Sequence, residues 1–326
     1  MKKRVLAGIR ATNQLHIGNY LGAVKGMLEL EKGGEYETFF MVADIHTITT
    51  PFDPEKLRNN KMQVVIDYLA CGLDAEKSTI FLQSTVSEHA ELAFYLSSLV
   101  TIARMQHLPT FKDKVKQYPE SASLALLNYP TLMASDIILY NAEKVPVGLD
   151  QEPHLEVARE IVRKLNSTYK LNFNEPTRFV TDGEYVPSLT GEGKMAKSVE
   201  GSAIMLSDSL DVIKSKLYAV PTDSGKGDSI PTQGGVRTLF ALVSLFLGND
   251  RLNSYEKMYL SEGIRYKEMK EEIAGEVYKM LTPIQEKRKF YEDNPKLVNQ
   301  IIQDGQAKAQ AVAKETLFQI KGAMGL

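Results

Sequence analysis

Short apolar runs bounded by turn signals recur through the N-terminal part of the chain, at residues 4–9, 38–43, 79–83, 145–148 and 178–181. Each reads as a buried strand. Between them lie helical periodicities. The clearest opens at Asp53, an N-cap candidate with Pro54 at the first helical position. It carries a stripe of Leu57, Val64, Val65, Tyr68 and Leu69 and meets Gly72 where a terminating glycine belongs. Strands alternating with helices predict an α/β domain: a Rossmann-type parallel sheet covered on both faces, with ligands collecting at the carboxyl ends of its strands.

The pattern changes after about Gly201. From Ser207 onward the periodicity is helical, interrupted by the polar loop 221–235. Charged helices follow at 262–281 and 295–323, with Thr282-Pro283 predicted to cap and restart a helix between them. The expected organisation is a catalytic domain over 1–200 and an appended all-helical region over 201–326, its last helix placed to pack back on the first domain.

The 326 residues are 43% hydrophobic and 25% charged, within the globular range, and a formal net charge of −2 excludes a blanket of positive potential. Nucleic acid would have to be met by local patches. The single cysteine, Cys71, excludes an intramolecular disulfide and a multi-cysteine metal site, and it reads as a buried small hydrophobe. No run reaches the ~18 apolar residues of a membrane span, so a cytoplasmic protein is expected.

Several segments carry candidate chemistry. After the first strand, His16-Ile17-Gly18-Asn19 opens a helix, where unpaired N–H groups and the dipole favour phosphate and Gly18 would admit a flat ligand. A histidine there can equally be an ordinary cap. Asp44 and His46 follow the second strand, at the ligand edge of the sheet or at a plain polar turn. Asp136 sits in an apolar helical pattern beside Leu132, Met133, Ile137 and Ile138. It either pairs within the protein or aims at a donor on a ligand. Asp150 and Gln151 leave the end of the fourth strand. Lys112, Lys114 and Lys116 form a charge run of the kind that is usually a solvated face. His89, His107 and His154 lack helix-spaced metal partners, and no metal site is expected. The stretch Thr190–Gly201, "TGEGKMAKSVEG", has no periodicity that would bury it. It is a solvated loop, or its lysines meet something strongly anionic.

Taken in order, these segments resemble a class I aminoacyl-tRNA synthetase. Gln14–Asn19 looks like the HIGH motif in its HIGN form, and Lys194-Met195-Ala196-Lys197-Ser198 looks like the KMSKS loop. Within that class the tryptophanyl enzymes match over essentially the whole chain, through Gly18–Ala23, Tyr129–Gln151 and the later "LTPIQEKRKFY". The resemblance implies that tryptophan and ATP form tryptophanyl-adenylate, that tRNA(Trp) receives the amino acid, and that the protein is a homodimer. His16 and Asn19 would hold ATP, with Gly18 close to adenine and Gly148 and Asp150 at the ribose. Lys114, Lys194 and Lys197 would hold the triphosphate with Mg²⁺, the loop residues Met195 and Ser198 beside them. Tyr129 and Gln151 would meet the α-amino group. His46 and Val147 would line the tryptophan pocket, where Asp136 accepts from the indole N–H. Leu6 and Met133 stand where tyrosyl enzymes tend to carry tyrosine and glutamine, which favours tryptophan.

The chain departs from the family in reading Arg10-Ala11-Thr12-Asn13 after the first strand, where Gln-Pro-Thr/Ser-Gly is usual. Asn13 could then take a left-handed position, and Arg10 would meet the substrate carboxylate or the phosphates. Ala196 replaces the loop serine. The alternatives are a tyrosyl-tRNA synthetase, a catalytically silent synthetase-like RNA-binding protein, and a small-molecule adenylyltransferase, which leaves KMAKS unexplained.

Overall fold

The computed structural model describes residues 2–180, 185–196 and 199–326. Five strands appear near the expected places: β1 Lys3–Arg10, β2 Tyr36–Ala43, β3 Thr79–Leu82, β4 Lys144–Pro146 and β5 Thr177–Phe179. All pair in parallel, in the order β3-β2-β1-β4-β5. Phe39, Phe40, Met41 and Val42 are consecutive and all buried, as a sheet covered on both faces requires. The chain winds outward from β1 through β2 to β3, then returns to place β4 on the other side of β1. The gap between β1 and β4 is therefore the point where a crevice opens beyond the strand ends.

The register Leu6↔Phe39, Gly8↔Met41, Arg10↔Ala43 puts Leu6, Gly8 and Arg10 on one face of β1. A Cβ on Gly8 would lie 2.9 Å from Met41 Cγ, so glycine leaves that face open. The helix Pro54–Ala70 starts as its caps dictate: Asp53 accepts from the N–H groups of Glu55 and Lys56, and Gly72 follows with φ +109°. Cys71 is half-buried at this helix's C-cap, more exposed than its apolar surroundings suggested.

The chain divides into two compact units. One comprises Met1–Asn13, Gly26–Thr181 and Asp293–Leu326; the other comprises Gln14–Lys25 and Asp182–Glu292. The sheet belongs to the first, and so does the last helix, Pro295–Met324. That helix seats on edge strand β3 at Gly305, where a Cβ would come within 1.8 Å of the Ile80 carbonyl oxygen. The HIGN turn belongs to the second unit, with the segment carrying KMAKS. A single cut at residue 200 does not coincide with this division.

Two local expectations are corrected. Thr282-Pro283 does not restart a helix, because one helix runs unbroken from Tyr266 to Asp293 with Pro283 inside it. Proline removes one backbone donor there. The face formed by Val277, Leu281, Ile284 and Arg288 is buried, and Gln285 donates to the carbonyls of Leu206 and Asp208 at 2.9 Å each. Packing on both sides of Pro283 holds the helix together despite the missing bond. Asn13 is not left-handed: the non-glycine residues with positive φ are Asn141 and Lys170 among the described residues.

Candidate active site

In the sheet unit a cavity of about 460 Å³ opens at the crevice between β1 and β4. Its floor comes from the sheet: Leu6, Gly8 and Arg10 of β1, Met41 and Ala43 of β2, and Val145 of β4. Its wall comes from the helix Leu124–Leu139, which presents Tyr129, Met133 and Asp136 at the four- and three-residue spacing of one helical face. His46, Val147, Asp150 and Gln151 arrive from the segments just after β2 and β4, and Lys114 from the helix Pro109–Gln117. All seven residues expected around the amino-acid side chain and α-amino group thus share one cavity, joined by Arg10, Lys114 and Asp150. Gly148 does not line it.

Asp136 is 1% exposed and accepts from three protein side chains. Gln83 Nε2 donates to Oδ1 at 2.8 Å, His89 Nδ1 approaches Oδ1 at 2.6 Å, and His46 Nε2 approaches Oδ2 at 2.9 Å. Burial pushes the Asp136 carboxyl upward, but the hydrogen bonds from His46 and His89 lead the influences that hold the group below the ordinary carboxylate range. An ionised carboxylate accepts only, so both imidazoles turn an N–H toward it. Gln83 is oriented in turn, because its Oε1 accepts from the backbone N–H groups of Ile45 and His46 at 3.1 and 3.3 Å.

Tyr129 bonds through its hydroxyl to His154 Nε2. Burial raises the Tyr129 phenol to about 12 and lowers the His154 imidazole to about 4, so the pair is neutral. Arg10 donates from Nη2 to Thr50 Oγ1 at 2.8 Å, while its buried Nε has no hydrogen-bond partner. Lys114 donates to Gln117 Oε1 at 2.8 Å; burial lowers its pKa, with the Arg10 charge adding to the effect. Asp150 is exposed and accepts from Gln151 Nε2 at 2.6 Å.

The HIGN turn is built in the second unit. His16 is the N-cap of the one-turn helix Ile17–Asn19, in a reciprocal capping box: Asn19 N–H donates to His16 Nδ1 at 3.2 Å, and His16 N–H donates to Asn19 Oδ1 at 3.3 Å. A neutral ring accepting at Nδ1 carries its proton on Nε2, which is then a donor. A π-helical turn, Tyr20–Val24, follows at once. Backbone bonds tie this turn to the segment beyond KMAKS, from Ile17 N–H to the Ile204 carbonyl at 3.0 Å and from Leu206 N–H to the Leu15 carbonyl at 2.9 Å. A Cβ on Gly18 would lie 3.0 Å from the His16 ring and 3.4 Å from Met195 Cβ. The two signature segments therefore meet.

Thr190–Gly201 is not uniformly solvated, as its composition suggested. Met195 is 3% exposed and its N–H donates to the Val186 carbonyl at 2.9 Å. Ala196 N–H donates to Ser202 Oγ at 3.1 Å. Lys194 stays exposed beside that anchor. Lys197 and Ser198 lie outside the described residues.

Sequence reasoning missed Gln83, His89 and Tyr140, and the threonines Thr49, Thr50 and Thr110 that line the cavity. One signal was available for Tyr140: it stands four residues after Asp136, on the same helical face. Nothing in the linear pattern ties His89 to Asp136.

A family model described as "tRNA synthetases class I (W and Y)" matches residues 1–294. The tryptophan–tRNA ligase of Helicobacter pylori is 39% identical over 330 residues, covering 100% of this chain and 99% of that protein. That of Porphyromonas gingivalis is 35% identical over 326 residues, covering 98% of each. Two solved structures have a TM-score of 0.85: tryptophanyl-tRNA synthetase from Mycoplasma pneumoniae, at 31% identity over 100% of this chain and 98% of that one, and the Campylobacter jejuni enzyme complexed with ADP and tryptophan, at 32% identity over 99% and 100%. The fold, the paired signature segments and these full-length likenesses converge: this chain belongs to the class I tRNA synthetases of the W and Y family.

Proposed function

We infer that the chain activates L-tryptophan with ATP, forming tryptophanyl-adenylate and pyrophosphate, and transfers the aminoacyl group to the 3′ adenosine of tRNA(Trp). The observation that carries this reading is the buried, ionised Asp136 in the wall of a largely apolar cavity. Indole N–H is a donor only, and a carboxylate fixed as an acceptor suits it. Phenylalanine has no N–H to offer the acceptor position on Oδ2 that the protein donors leave open, so it loses that bond and is rejected. Leu6 and Met133 leave apolar surface for the two rings.

The remaining roles are those implied by the resemblance of the signature segments. Tyr129 and Gln151 meet the α-amino group. Arg10, with its orphaned buried Nε, meets the α-carboxylate or the phosphates. His16 and Asn19 hold ATP, Gly18 lies near adenine, and Gly148 and Asp150 lie near the ribose. Lys114, Lys194 and Lys197 carry the triphosphate, with Met195 and Ser198 shaping the loop. The carboxylate attacks the α-phosphorus in line, so the protein supplies placement and positive charge where charge develops, without a covalent nucleophile. Lysine, a compact charge on a flexible stem, suits that task. Mg²⁺ would enter with the triphosphate and neutralise charge there.

The helical part of the chain reads the tRNA. The active form is a homodimer, an idea supported by exposed apolar side chains on the sheet unit: Phe94, Ile102 and Leu124 are 74%, 67% and 83% exposed. No helix among the described residues is long and apolar enough to cross a membrane.

Amino-acid-dependent ATP–pyrophosphate exchange, run with each standard amino acid, tests the reading. Strong exchange with tryptophan is expected. Exchange with tyrosine instead would overturn the specificity, and exchange with none would favour a silent RNA-binding protein.

A further inference from the structure

Asp136 does not stand alone behind the cavity. His89, 0% exposed, bridges it to Tyr140: Nδ1 lies 2.6 Å from Asp136 Oδ1, and Nε2 lies 2.9 Å from the Tyr140 hydroxyl. Neither His89 nor Tyr140 lines the cavity, so neither can touch the substrate. We propose that Tyr140 and His89 are positioning residues which lock Asp136 as a one-sided acceptor, occupying Oδ1 so that Oδ2 is left to read the indole N–H. The proposal rests on the tryptophan-activating reading above and concerns how its specificity is enforced.

The hydrogen-bond inventory leads to this assignment. Oδ1 takes two donors, Gln83 Nε2 and His89 Nδ1, and Oδ2 takes one, His46 Nε2. A carboxylate oxygen accommodates two good donors, so Oδ1 is filled and Oδ2 keeps one vacancy. His46 lines the cavity beside Asp136, which places the vacancy on the ligand side. The direction of the relay follows from the carboxylate, which accepts only. In the His89 tautomer that turns its Nδ1 proton to Asp136 Oδ1, Nε2 is bare and accepts from the Tyr140 hydroxyl. Ser135 Oγ donates to the His89 carbonyl at 2.8 Å, tying the two helices together at this point. Phe81 packs on both rings, its centroid 6.0 Å from His89 and 5.7 Å from Tyr140, so the relay is held in place from the sheet side as well.

Without the Tyr140 hydroxyl, His89 loses the partner at Nε2 that fixes its ring, and its Nδ1 donor is aimed less firmly at Oδ1. The carboxylate would be held less rigidly, and the indole bond would weaken. The loss should therefore depend on whether the ligand has an N–H to offer.

The test compares tryptophan with its analogue carrying benzothiophene in place of indole, which keeps the shape and lacks the N–H. The full chain is used, with Tyr140→Phe, His89→Asn and His89→Leu, each checked by thermal melting. Tryptophan KM in ATP–pyrophosphate exchange should rise about three- to tenfold in Tyr140→Phe, as for one buried hydrogen bond. The KM for ATP, and the inhibition constant of the benzothiophene analogue, should change less than about twofold. His89→Leu should lose more than His89→Asn, whose amide can still offer an N–H near the Nδ1 position. Equal weakening of tryptophan and the analogue would make the relay merely structural and overturn the proposal, as would no change for either. Absence of tryptophan-dependent exchange in the unsubstituted chain would instead overturn the reading on which it rests.

Discussion

The amino-acid cavity and the HIGN–KMAKS region solve opposite physical problems. In the cavity, charge is buried and held by protein donors: Asp136 is 1% exposed and bonded by Gln83, His46 and His89. In the other region the charge is exposed and the backbone is anchored: Lys194 faces solvent while its neighbour Met195 is buried, on a segment where Gly191 and Gly193 adopt positive φ. A buried acceptor with one open position can discriminate between ligands that differ by one N–H, because a mismatch leaves that position unfilled. An exposed lysine discriminates poorly, but it can meet a phosphate chain and follow charge as it moves. The difference teaches that recognition and chemistry place different demands on burial.

That contrast breaks if substitutions in one region produce the other's kinetic signature. The largest effect is expected for Lys194→Ala. It should lower kcat for ATP–pyrophosphate exchange by about 10²–10³, the scale for losing one group that stabilises developing charge, with tryptophan KM nearly unchanged. A rise in tryptophan KM with normal kcat would erase the distinction. Arg10→Ala comes next, because Arg10 lines the cavity yet has an unpaired buried Nε. Loss of one charge-assisted bond should cost about tenfold in kcat/KM. Unchanged KM for both substrates and unchanged kcat would remove Arg10 from the site.

A third test sharpens the cavity side and concerns stability rather than rate. His154 is buried beside Tyr129, and its folded pKa falls from 6.5 to about 4, mainly through burial. Between those values the unfolded chain binds the extra proton and the folded chain does not. The stabilisation is therefore fully present above pH 6.5 and lost as pH falls toward 4, amounting to roughly 3 kcal/mol. Thermal melting of the wild type should show that acid-side loss, and His154→Gln should flatten it. Parallel curves would mean that His154 titrates normally.

How much of this was legible in the sequence depended on whether a feature is local. Strands and the Asp53–Pro54 helix start were legible because their determinants are adjacent residues. The cavity was legible because parallel strands deliver their carboxyl ends to one edge, so that residues far apart in sequence, Leu6, His46 and Val147, meet there. Pro283 misled, since the helix around it is held by burial of distant partners. The two-unit division was illegible for the same reason: Gln14–Lys25 groups with Asp182–Glu292 through non-local pairing such as His16 with Met205. His89 was invisible because its link to Asp136 spans 47 residues and no motif spacing encodes it.

The most direct test of selection by a buried acceptor is the ratio of kcat/KM for tryptophan over phenylalanine in ATP–pyrophosphate exchange, measured for the wild type and Asp136→Asn. Asparagine keeps the shape but turns one oxygen into an N–H donor. The wild-type ratio should be about 10⁴ or more, as for a site built around one donor on its substrate. In Asp136→Asn, tryptophan should lose about 100-fold or more while phenylalanine changes little. A ratio left intact by that substitution would contradict the account.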